Sequence, residues 1–60
     1  MTETKLKKFE PMSKLAMITV EDLLKRQGKL VIETKTYVEI KRMNSIAHID
    51  QWGRVEWRQE

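Results

Sequence analysis

Cysteine is absent from this chain of 60 residues. Disulfides and thiolate-held metals are therefore excluded. The lack suits a reducing interior, so a cytoplasmic location is expected. The single histidine, His48, cannot build a histidine-rich zinc site. Glycine occurs twice and proline once, too few for a glycine-rich phosphate loop. No apolar run approaches ~18 residues, so no membrane partner is expected. Lys5, Lys7 and Lys8 stand near the start with no apolar run behind them, unlike a secretory signal. Nothing in the composition asks for a cofactor.

What remains is a short, mildly basic chain. Twelve Lys and Arg face nine Asp and Glu, for a net charge of +3. That excess favours solubility and weak attraction to polyanions, and it argues against a DNA mimic. A domain this small buries only about 60% of its unfolded surface and is marginal alone. Without disulfides or a metal it is expected to be a homodimer or to be stabilised by a partner.

Residues 1–12 are polar apart from a few apolar side chains, and Pro11 pushes Glu10 away from helical geometry. They are expected to form a flexible basic arm, with residues 13–60 as a single α+β domain. Leu15 to Ile18 is too short to classify by period; an extended lead-in is favoured over a helix begun at Ser13. Thr19 is the expected helix cap, with Ile18 and Leu23 spaced as a hydrophobic staple. Glu21 and Asp22 would then lie in the first turn and Lys25 and Arg26 in the last, both favourable to the dipole. Gly28 would end the helix in the left-handed conformation, giving a helix over 20–27 with Val20, Leu23 and Leu24 facing inward.

From Lys29 to Arg42 the residues alternate with no Gly, Pro or Asn. One long bent strand is the first expectation; two strands about a turn at 33–36 is the alternative. Asn44 and Ser45 suit a two-residue loop that sets Ile40 opposite Ile49 and Arg42 opposite Ala47. Gln51-Trp52-Gly53 suits a three-residue loop that sets Asp50 opposite Arg54, Ile49 opposite Val55 and Ala47 opposite Trp57. Both registers place Val38, Ile40, Ala47, Ile49, Val55 and Trp57 on one face, Trp57 as core. The fold expected is a short helix packed on a three-stranded antiparallel β-meander.

Material for catalysis is thin. His48 would face Glu56 on the solvent side, with Ser45 at the preceding turn, and two surface residues without a pocket do not make an active site. Asp50, His48 and Glu56 lack the spacing of a metal-ligand set. The outer sheet face and the loop tips are richer. Trp52, Arg54, Arg58, Tyr37, Lys41, Met43 and Ile46 include the types enriched at interfaces. Lys5, Lys7, Lys8 and Arg42 are candidate polyanion contacts. The functional expectation is a non-enzymatic protein-binding module that inhibits or modulates a partner. By association only, such chains are common among phage and mobile-element accessory factors. The alternative is a small DNA- or RNA-binding regulator using the basic arm and sheet-face cations.

Overall fold

The computed structural model describes residues 6–59. Helix α1, Lys14–Lys25, begins at Ser13, whose Oγ accepts the Ala16 N–H at 3.2 Å. The cap at Thr19 is therefore corrected to Ser13. Fully buried Ala16 extends the inner stripe to Ala16, Val20 and Leu23, so tertiary burial stabilises an added turn. Glu21 and Asp22 leave the first turn, and Asp22 instead pairs with Arg26 at 3.1 Å. Ile18, 55% exposed, forms no staple.

The helix end also differs from expectation. Gln27, at φ 70°, takes the left-handed conformation expected of Gly28. The Gly28 N–H donates to the Leu23 carbonyl at 3.0 Å, closing the helix in the Schellman manner. Glycine at 28 serves close approach: a Cβ there would lie 2.5 Å from the Leu23 carbonyl oxygen and 2.6 Å from Ile40 Cγ2.

Four strands follow, not three: β1 Lys29–Glu33, β2 Tyr37–Arg42, β3 Ser45–Asp50 and β4 Val55–Gln59. They form one antiparallel sheet in the order β1-β2-β3-β4. The single long strand over 29–42 is thus replaced by its alternative. Thr34 supplies the missing turn chemistry. Its hydroxyl accepts the N–H groups of Thr36 and Tyr37 and donates to the Tyr37 carbonyl, a side-chain mimic of a backbone turn.

The β3–β4 register is as expected, with Ile49 opposite Val55 and Ala47 opposite Trp57. Gly53 has φ 92°, the left-handed position of that loop. The β2–β3 register is two residues from expectation: Ile40 lies opposite Ala47 and Arg42 opposite Ser45. The loop is Met43-Asn44, and Met43, at φ 57°, carries the positive φ that Asn44 was expected to accommodate. Side chains alternate with period two, so a two-residue slip preserves every face.

Val38, Ile40, Ala47 and Ile49 accordingly pack with Ala16, Val20, Leu23 and Phe9 in the core. Trp57 does not join them. It shares their face but is 51% exposed, because α1 lies over β2 and β3 and leaves β4 at the margin. The expectation of a core Trp57 is corrected on that ground.

Residues 6–12 belong to the domain rather than to an outlying arm. Phe9 is 6% exposed, and Leu6 packs against the core. The Lys8 and Phe9 N–H groups donate to Glu33 Oε2, Glu10 N–H to the Lys35 carbonyl, and Met12 N–H to the Gln51 carbonyl. Among the described residues, no helix is long and apolar enough to cross a membrane.

Candidate functional site

The outer sheet face centres on a buried carboxylate. Glu39, on β2, is 5% exposed. His48, its neighbour across β3, lies with Nδ1 at 3.0 Å from Oε2. Arg58, two strands away on β4, donates from Nη2 to Oε1 at 2.8 Å and from Nη1 to Oε2 at 3.4 Å. Tyr37 stacks on the His48 ring, with centroids 4.5 Å apart. The His48 hydrogen bond holds the Glu39 carboxyl below its ordinary range; burial opposes this and Arg58 adds to it. A carboxylate can be buried here because both oxygens are satisfied by charged or polar partners.

This constellation differs from the sequence expectation in its pairing. His48 does lie opposite Glu56, but its hydrogen bond is to Glu39. Ser45 has the parity of Ala47 and Ile49 and lies on the other face. A Ser–His arrangement is therefore not assembled. Among the described residues, no group of three His, Asp or Glu side chains is placed to hold a metal ion.

The expected interface residues divide into three places. Tyr37, Lys41, Ile46 and Arg58 share the outer face around Glu39. Met43, 82% exposed, stands at the β2–β3 tip, whereas Trp52 stands at the β3–β4 tip with Arg54 at its base. Those tips lie at opposite ends of β3, so Met43 and Trp52 do not share a patch. The polyanion candidates divide as well. Arg42 turns its Nε–H onto the Arg26 carbonyl at 3.0 Å, at the end of α1. Lys7 and Lys8 are exposed at the other end of the sheet, beside Glu33. The six-residue β2 between those ends spans roughly 17 Å at about 3.4 Å per residue. Lys5 lies outside the described residues.

Trp52 has neighbours that the sequence did not assign to it. A Cβ on Gly53 would lie 2.8 Å from Leu15 Cγ, so the first turn of α1 sits directly on the β3–β4 loop. The Met12 N–H donates to the Gln51 carbonyl at 2.9 Å. Met12, Leu15 and Trp52 thus stand on adjoining segments at one corner, 63%, 57% and 61% exposed. Ile18, at i+3 from Leu15, continues the apolar flank. The signal for this group was the Ser13 cap, which turns Leu15-Ala16-Met17-Ile18 into helix and sets Leu15 and Ala16 on different faces.

The corner is held rigidly from below. Asp50 Oδ1 accepts the N–H groups of Trp52 at 3.0 Å and Arg54 at 2.9 Å. The Arg54 N–H is the chief cause lowering the Asp50 pKa, against burial and with help from Trp52. Gln51 Nε2 bridges to the Glu10 and Lys35 carbonyls, tying the loop to the neighbouring turn.

Comparison with protein-family models, with curated proteins and with solved structures found no match to this chain.

Proposed function

We propose that the protein is a non-enzymatic binding module that inhibits or modulates a protein partner, docked through the Met12, Leu15 and Trp52 corner. The observation that carries this reading is the placing of three exposed apolar residues on adjoining segments around a loop pinned by Asp50 and Gln51. Aromatic anchors dominate interface energetics. A backbone already ordered before contact lowers the entropic cost of association. A protein is favoured over a nucleic acid because several cations are engaged within the fold. Arg58 binds Glu39, Arg42 caps the α1 terminus and Arg26 pairs with Asp22. Lys7, Lys8 and Arg42 form no continuous tract for a phosphate backbone to follow.

The test is affinity capture from the native host with the full chain as bait, after nuclease treatment. Trp52→Ala serves as a matched control whose far-UV circular dichroism is unchanged. Retained protein that survives nuclease and falls more than tenfold with Trp52→Ala supports the reading. Retention that disappears with nuclease, or that Trp52→Ala leaves intact, contradicts it.

A further inference from the structure

We propose that two copies of this chain associate edge to edge through β4, in one register centred on Trp57, to form a continuous eight-stranded sheet. The surface is separate from the Met12, Leu15 and Trp52 corner and does not depend on it.

The two sheet edges are not equivalent. β1 carries a bulge between Leu30 and Ile32, and residues 8–10 bond to its Glu33 and to the turn beyond. Bulges and covering segments are the usual means of blocking an edge. β4 has neither. Val55–Gln59 contains no Gly or Pro, pairs with β3 in unbroken register, and has no second strand beside it among the described residues.

Hydrogen-bond phase fixes which backbone groups face outward. In an antiparallel ladder, alternate residues bond the neighbouring strand. The Asp50 N–H donates to the Arg54 carbonyl, so Arg54, Glu56 and Arg58 face β3. Val55, Trp57 and Gln59 therefore present their N–H and C=O groups to the open edge. A two-fold axis beside Trp57 pairs Trp57 with the second copy's Trp57, and Val55 with its Gln59. All the outward groups then bond reciprocally.

Charge selects the same register. Centring on Trp57 sets each Glu56 directly opposite the second copy's Arg58, twice over. Moving the axis by one residue opposes Glu56 to Glu56 in one direction and Arg58 to Arg58 in the other. Like charges directly opposite are destabilising, and opposite charges favourable. Only the centred register also pairs the whole of β4. Arg58 already bonds Glu39, two strands inward on β2, through its two terminal nitrogens, so across the axis it opposes Glu56 by the sign of its charge and not through a second hydrogen bond. On the other face the two half-exposed Trp57 side chains meet beside the axis, where α1 leaves β4 uncovered. An interface using the same patch on both copies is the form a two-fold dimer requires.

The experiment is sedimentation of the full chain over a concentration series, paired with residue-resolved amide hydrogen exchange. The expected result is a shift from 7.2 kDa to twice that mass. Alongside it, the Val55, Trp57 and Gln59 amides gain protection with concentration, while Glu56 and Arg58 stay protected throughout by β3. Glu56→Lys, an exposed position, is expected to raise the dimer Kd at least tenfold. A mass fixed at 7.2 kDa overturns the proposal. So does a dimer whose new protection falls on β1, or one indifferent to Glu56→Lys. The exchange measurement needs no variant, so it decides the matter even if the substitution perturbs folding.

Discussion

Gln27 and Gly53 show how single residues carry this fold at unequal cost. Gln27 holds φ 70° with a side chain that disfavours it. Gln27→Gly removes that strain and is expected to stabilise the chain by about 0.5–1 kcal/mol, read as a higher denaturation midpoint with unchanged slope. Gly53→Ala should do the reverse. At φ 92° its new Cβ would stand 3.0 Å from the Ala16 nitrogen and 2.8 Å from Leu15 Cγ, and a loss of about 2 kcal/mol or more is expected in the same assay.

Acid sensitivity also belongs to single residues. Glu39, Glu33 and Asp50 all have folded pKa values below their ordinary ones. For Glu33 the leading cause is the Phe9 N–H, followed by that of Lys8. A lowered folded pKa means that the unfolded chain binds protons first as pH falls. The stabilisation is fully present above the ordinary carboxylate values of 3.8 to 4.5 and is lost as pH drops through the folded values. Thermal unfolding should show Tm falling below about pH 4.5. Glu39→Gln should flatten part of that fall and cost about 1–2 kcal/mol at neutral pH by leaving Arg58 without its carboxylate.

At the scale of elements, a contrast between two caps tests the extended helix. Ser13→Ala is expected to cost about 1 kcal/mol, because Ser13 accepts the Ala16 N–H. Thr19→Ala, inside α1, should cost little or even stabilise, since alanine has the higher helix propensity. Equal losses at both positions, measured by urea unfolding, would contradict the Ser13 start. Alternation alone makes the inner face of β2 and β3 legible in the sequence, and the two-residue slip of their register does not disturb it. The β1–β2 turn is less legible, because it depends on the Thr34 hydroxyl rather than on Gly or Asn. Trp57 exposes a limit of periodicity: parity assigns a side chain to a face but says nothing about how far a helix extends over that face.

Across the whole molecule, the candidate site is only half legible in the sequence. Trp52 stands out as an apolar residue in a polar loop, and Tyr37, Lys41, Ile46 and Arg58 group on one face by alternation, as they do in the sheet. Met12 and Leu15 are distant in sequence from Trp52 and reach it only through the packing of α1 on Gly53. The buried Glu39 is hidden for a related reason. Its partner Arg58 lies two strands away, and a diagonal contact of that kind depends on side-chain reach more than on register. The result is a small sheet whose polar face is organised inwardly around Glu39, with the exposed apolar side chains of Met12, Leu15 and Trp52 set apart from it.

Collisional quenching of Trp52 tests that assignment most directly. In a Trp57→Phe chain labelled with 7-azatryptophan, excited at wavelengths beyond ordinary tryptophan absorption, the emission reports position 52 alone in the free and the bound state. Ready quenching in the isolated protein and protection once a captured partner is bound is the predicted result. Equal quenching in both states would place the contact elsewhere and contradict the docking corner.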